Sequence, residues 1–327
     1  MKKIIVLLSG ILLGITGCNK PTDNPQPGTT PYELSIPQGF PAMTIPADNP
    51  LTREGVALGR KLYYDPRLHK EGTMACATCH VQQQAFSSSP AVLPHINLGW
   101  SRNFLWNGKI QGSLEDVMRF EVEDFFETDM SVLNSDADYR QAFKQVFGSE
   151  TITSTEVAKA LAQFVRTLIS GNSKFDRFLR GEVNLTNQEY LGYELFYTER
   201  GDCFHCHATA FMTDNLMHNN ALDSLPDAGY FAVTGDSLDW GKFKTPTLRN
   251  IEHTAPYMHD GRYATLEEVV AFYSSGLEAS PTVDPLMKNL HQGGVQLNAD
   301  EQAALVAFLK TLSDPDFISN PEYQPGK

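Results

Sequence analysis

Apolar and polar residues along most of this chain recur at the spacing of helices buried on one side. Val157, Leu161, Phe164, Val165, Leu168 and Ile169 fall on one helical face, because residues three and four apart are neighbours on a helix surface. Thr153-Ser154-Thr155-Glu156 just before them is a capping box, whose hydroxyl and carboxylate satisfy the free N–H groups of the first turn, and Gly171 supplies a stop. The same start signal recurs at Thr186-Asn187-Gln188-Glu189, at Thr265-Leu266-Glu267-Glu268 and at Asn298-Ala299-Asp300-Glu301, and Asp136 and Gly148 bracket a further helix. No stretch sustains a period of two. The pattern predicts a mostly α fold with long loops.

The N-terminal residues depart from it. Met1-Lys2-Lys3 is followed by an apolar run from Ile4 to Ile15, a charged start and a hydrophobic stretch too short to span a bilayer. Ile15-Thr16-Gly17-Cys18 resembles the lipobox of bacterial lipoproteins, with Cys18 as the lipidated first residue of the mature chain. An export signal with an incidental cysteine is the alternative. Residues 1–17 then form a leader. Residues 18–47, which begin with a Pro-rich stretch, form a tether that holds a globular body off the membrane. The expected location is periplasmic, lipid-anchored to a bacterial membrane, taken to be the outer one.

Losing Lys2 and Lys3 with the leader takes the formal charge from −13 to −15. Such a surface repels nucleic acid. It can steer a basic redox protein, although it serves solubility equally well.

The chain also repeats itself. Gly59-Arg60-Lys61-Leu62-Tyr63-Tyr64 has a counterpart in Gly192-Tyr193-Glu194-Leu195-Phe196-Tyr197. Asn107-Gly108-Lys109 with Ser113-Leu114-Glu115-Asp116-Val117 parallels Asp260-Gly261-Arg262 with Thr265-Leu266-Glu267-Glu268-Val269. Matched elements in the same order argue for two homologous domains. They are expected at 48–180 and 181–315, with 316–327 as a tail.

Each repeat encloses a pair of cysteines. Of the five in the chain, Cys18 is assigned to lipid. The others form Cys76-Ala77-Thr78-Cys79-His80 and Cys203-Phe204-His205-Cys206-His207. In Cys-x-x-Cys-His the two thiols add to haem vinyl groups and the adjacent His reaches the iron. Zinc would need four ligands at each site, and neither motif has a second Cys pair nearby. A thioredoxin-like pair would need a βαβ setting. The reading is two covalent haems c, with His205 a bystander.

Leu58-Gly59-Arg60-Lys61-Leu62-Tyr63-Tyr64-Asp65-Pro66-Arg67-Leu68 resembles the segment that leads into the first haem motif of bacterial diheme cytochrome c peroxidases and the related MauG-type enzymes. Thr245-Pro246-Thr247-Leu248-Arg249-Asn250 and Thr254-Ala255-Pro256-Tyr257-Met258-His259-Asp260-Gly261-Arg262 resemble the signature of their second domain. The resemblance covers about residues 50–315 and implies two cytochrome-c-like domains. It makes the haem on Cys76, Cys79 and His80 the site of peroxide cleavage, and the haem on Cys203, Cys206 and His207 the acceptor of electrons from a small cytochrome c or cupredoxin. Trp106 takes the place of the aromatic residue between the haems. Tyr273 falls where MauG-type enzymes carry Tyr and peroxidases carry Met as distal ligand, with Met258 a rival. Arg249 resembles a residue that pairs with haem propionates, and His259 is expected near the second haem's edge. The backbone carbonyls of Thr254 and Pro256 match a calcium site, but its Asn is replaced by Ala91.

The peroxide pocket departs most from the family. Its usual Gln, Pro and catalytic Glu correspond to Val117, Glu121 and Glu127. Glu127 matches the catalytic acid, and Glu121, by the internal repeat, is the first-domain counterpart of Tyr273. Glu121, Glu123, Asp124 and Asp129 also read as a solvated acidic run. His95, in a shortened loop, is expected to cap the first haem at rest, or to be an ordinary loop histidine; His69 has no matched role. The function these residues imply is reduction of H2O2 to water. The alternatives are a MauG-like oxidase acting on a protein partner and a diheme electron carrier. Relatives are often homodimers, an expectation with no interface of its own.

Overall fold

A computed structural model describes residues 28–326. The leader, Cys18 and the start of the tether lie outside those residues. Helices dominate. The first half runs through Arg53–Tyr63, Cys76–Cys79, Leu114–Phe120, Met130–Ser135, Ala137–Phe147 and Ser154–Val165. The second runs through Lys174–Leu179, Asn187–Phe196, Phe204–His207, Phe231–Thr234, Leu266–Ser275, Ala299–Lys310 and Pro315–Ser319. Among the described residues strand is confined to two antiparallel pairs of two residues each, Asn103–Phe104 with Ile110–Gln111 and Met217–His218 with Phe243–Lys244.

The capping boxes lie where the sequence puts them, at Thr153, Thr186, Thr265 and Asn298. Asp136 caps Ala137–Phe147, which ends on Gly148 in the left-handed region. The helix expected to reach Ile169 stops at Val165 instead. The Thr167 hydroxyl donates to the Phe164 carbonyl. The Asn97 side chain then holds both the N–H and the carbonyl of Ser170, so those groups do not continue the helix.

Each half is built on one helix crossing of the same design. In the first, Arg53–Tyr63 packs on Ser154–Val165, and a Cβ on Gly59 would collide with the Ala160 carbonyl and press on Phe164. In the second, Asn187–Phe196 packs on Ala299–Lys310, and a Cβ on Gly192 would strike the Ala304 carbonyl and Phe308. Only glycine lets two backbones approach so closely.

Two buried cores surround these crossings. One gathers Leu58, Leu62, Tyr63, Phe86, Phe143 and Phe164. The other gathers Phe196, Tyr257, Leu305 and Phe308. Phe175 belongs to the second core, so the packing changes over between Leu168 and Phe175 rather than at 180. The segment expected to be a tail is not loose either. Phe317 and Tyr323 are buried in the first core, against Phe86 and each other, and the Tyr323 hydroxyl donates to the Thr167 carbonyl.

Candidate active site

In each Cys-x-x-Cys-His segment a short helix places the two thiols one turn apart. The His80 Nδ1 lies 2.9 Å from the Phe86 carbonyl, and the His207 Nδ1 lies 2.9 Å from the Met212 carbonyl. A carbonyl can only accept, so Nδ1 carries the proton and Nε2 keeps its lone pair for a metal. Both accepting residues hold a positive φ, 58° at Phe86 and 54° at Met212, which turns their carbonyls toward the imidazoles. Burial holds His80 neutral, with its pKa near 4, and lowers His207 as well. All four cysteines are free thiols. Two thiols and one imidazole with a free Nε2, repeated twice, fit covalent haem c.

The second motif opens onto a cavity. It is lined by Cys203, Cys206 and His207, by Met258 and Tyr273, and by apolar residues including Leu248, Ile251, Leu266, Val270 and Leu305. Both rival distal ligands meet one amide that the sequence did not single out: Asn220 Nδ2 donates to the Tyr273 hydroxyl at 3.0 Å and reaches the Met258 sulfur at 3.8 Å. Burial pushes the Tyr273 phenol up to about 12. His259 also lines this cavity and stacks on Phe243, with ring centroids 3.7 Å apart. His218 is held between Asp284 at 2.6 Å and Asp214 at 2.8 Å. With a carboxylate on each ring nitrogen it is a charged imidazolium, and its pKa is raised accordingly.

Trp106 comes from the first half and lines the cavity of the second. Its Nε1 donates to the Ala91 carbonyl at 2.8 Å, and its own carbonyl accepts from the Lys244 N–H at 2.8 Å. Ala91, Thr254 and Pro256 line the same cavity. Ala91 has no side-chain oxygen to offer calcium.

Three expected roles change. Arg249 is buried, but its guanidinium is already committed: it holds both Asp176 carboxylate oxygens at 2.9 Å and donates to the Ala210 carbonyl. Four of its five N–H groups are engaged in this way, and Arg249 does not line the cavity. Glu127 is exposed and paired with Lys70 at 2.8 Å. The backbone there, with φ of 48° at Glu127, follows main-chain and side-chain bonds to residues 68–70 and turns the carboxylate outward. His95 does not face His80 across an open space. The two rings stack, with centroids 3.5 Å apart and 19° between planes, and His95 Nδ1 is 3.1 Å from the Tyr63 hydroxyl. Two imidazoles on opposite faces of a haem meet the iron edge-on, each in line with its own nitrogen. His95 instead lies against the flat of His80.

Glu121 is the carboxylate that does face the first motif. It begins a single π-helical turn, Glu121–Phe125, a local widening often found at functional positions. Burial, and after it the charge of Glu121, raises the pKa of Cys76 and Cys79, and burial pushes Glu121 itself up to about 7. Tyr273 lines the second cavity together with Cys203 and Cys206. Val117 is buried in the core. Of the other candidates, Glu123, Asp124 and Asp129 are exposed. His205 sits with Asp202 at 3.1 Å and Lys288 at 2.8 Å. His69 contacts Thr73 at the surface.

Residues 53–184 match the family described as di-haem cytochrome c peroxidase. The chain is 36% identical over 301 residues to the methylamine utilization protein MauG of Methylorubrum extorquens, covering 85% of this chain and 83% of that one. It is 34% identical over 306 residues to the cytochrome c551 peroxidase of Nitrosomonas europaea, covering 85% and 86%. Among solved structures, a MauG-like protein associated with microbial copper homeostasis superposes with a TM-score of 0.83 at 32% identity, over 90% of this chain and 99% of that one.

Proposed function

Because the chain belongs to the di-haem cytochrome c peroxidase family, we propose that it reduces hydrogen peroxide to water with electrons from a small cytochrome c or cupredoxin. Each H2O2 takes up two electrons and two protons and leaves as two waters. The observation that carries this reading is Trp106, a residue of one half that lines the cavity of the other. An electron carrier has no need of an aromatic residue between its sites.

Haem c at each site would supply peroxide binding and cleavage on the Cys76, Cys79 and His80 side and electron acceptance on the Cys203, Cys206 and His207 side. The rest is the work of side chains. Glu121, half-buried beside the first thiol pair and poised near neutral pH, takes a proton from the incoming peroxide and returns it to the leaving oxygen. Trp106 divides a long electron transfer into two shorter ones. Tyr273, held by Asn220, would be the residue that offers an oxygen to the iron of the second haem. Each half is read as one cytochrome-c-like domain. A Ca²⁺ on the Thr254 and Pro256 carbonyls would have to do without an amide oxygen at position 91. The leader and Cys18 support a periplasmic protein anchored by lipid, which extends the proposal to location.

Tyr273 favours a second reading. An anionic oxygen ligand stabilises oxidised iron, which suits an oxidase of the MauG type acting on a protein partner. The test is turnover by purified holoprotein lacking residues 1–18, with H2O2 and a reduced small cytochrome. Fast donor oxidation establishes the peroxidase. A long-lived oxidised spectrum without donor turnover supports the MauG-type reading. No response to peroxide overturns both.

A further inference from the structure

Lys244 lies in the short strand Phe243–Lys244, in register with Met217. Its main-chain N–H is the one bonded to the Trp106 carbonyl at 2.8 Å. Its side chain is more than nine-tenths buried, at 8% exposure, and lines the second cavity. There the ammonium donates only to the Thr245 carbonyl, at 3.4 Å. The acidic groups that line or flank the cavity are taken: Asp214 and Asp284 both hold His218, and Asp202 faces His205. Among the described residues, no carboxylate lies within ion-pairing distance of Lys244.

An unpaired buried ammonium is costly, and it either finds a partner or is driven toward its neutral form; burial lowers Lys244 to about 8, so at neutral pH it is still charged and still without a carboxylate. Arg249, the cation the sequence offered for this role, is spent on Asp176. We propose that Lys244 is the anchor for a propionate carboxylate of the second haem, an assignment that rests on the two-haem reading above. The haem brings its own carboxylates, and Lys244 is the cation in the cavity left without one. The main-chain bond from Lys244 to Trp106 then ties the propionate to the residue between the two sites. Lys244 is thus a positioning residue: it would hold the haem's acidic edge against the bridge and add one positive charge to the second cavity.

That charge favours the electron-rich reduced state, so removing it lowers the reduction potential. The test uses holoprotein and spectroelectrochemical titration of both haems in wild type, K244M, K244Q and K244R. In K244M and K244Q the second haem's midpoint should fall by about 59 mV, a tenfold change in its one-electron reduction constant. The first haem should not move, and K244R should stay near wild type. If the neutral variants fail to mature while K244R matures, the requirement for a cation is read directly, because an apolar residue would relieve an unpaired charge in a haem-free cavity. Neutral variants that mature with both potentials unchanged overturn the proposal. A pyridine haemochrome count on wild type, two haems per chain, tests the underlying reading separately.

Discussion

The imidazole rings of His80 and His95 lie face to face, 3.5 Å between centroids, with the Tyr63 hydroxyl holding His95 from behind. This packing sets His95 against the flat of His80 and favours a bracing role over that of a cap on the first haem. Replacing it with alanine should leave the spin state of the resting first haem unchanged in electron paramagnetic resonance. A conversion from low spin to high spin in His95→Ala would make it the sixth ligand after all.

Glu121 and Glu127 make opposite predictions. Glu121→Gln should lower kcat/KM for peroxide by about 10²- to 10³-fold, in the range of general acid–base contributions. Glu127→Gln should change it by less than about threefold, because an exposed ion pair to Lys70 contributes little.

The same residue sets a pH profile. Burial raises the Glu121 carboxyl to about 7, so it is mainly protonated below that pH and ionised above it. Only the ionised form accepts the peroxide proton. Steady-state kcat/KM should therefore rise with pH through about 7 and then level off, and the rising limb should vanish in Glu121→Gln. A flat wild-type profile between pH 5 and 8 would remove Glu121 from proton transfer.

Tyr273 and Met258 meet the same Asn220 amide and are the two rival ligands proposed for the second haem. With Tyr273 as ligand, Tyr273→Met should raise the second haem's midpoint by more than about 59 mV, a factor of ten in its one-electron constant, since thioether favours reduced iron. Met258→Leu should leave that potential in place. The reverse result would exchange their roles.

Gly59 and Gly192 occupy equivalent helix crossings. Alanine at either should cost about 1–3 kcal/mol by overpacking against a backbone carbonyl that cannot move aside. Denaturant unfolding of the two variants measures it, and wild-type stability in both would show that the crossings can spread.

Most of the helical frame was legible because its signals are local. A capping box occupies four residues, and the matched segments that begin at Gly59 and Gly192 show the repeat, although only the packed helices show why both positions are glycine. The site was less legible because its decisive contacts are long-range. Nothing near Arg249 shows that Asp176, on a helix 73 residues earlier, absorbs its guanidinium. Glu127 fits a family spacing, but a left-handed backbone residue turns it to Lys70, and such a reversal leaves no mark in side-chain pattern. Lys244 went unnoticed because one lysine beside a Thr-Pro-Thr turn looks like surface. Its value lies in burial, which only the assembled cavity reveals.

Phe317 and Tyr323 complete the first core and press on Phe86, whose carbonyl orients His80. Synthesis runs from N- to C-terminus, so the half of the chain made first is closed by residues made after those of the second core. Until they arrive, that core lacks the wall that packs on Phe86. The second half carries no such debt, since its core closes on its own residues. The order of making and the order of sealing are thus opposed. A nascent chain arrested before Phe317 would hold its first histidine in place without the aromatic buttress behind it.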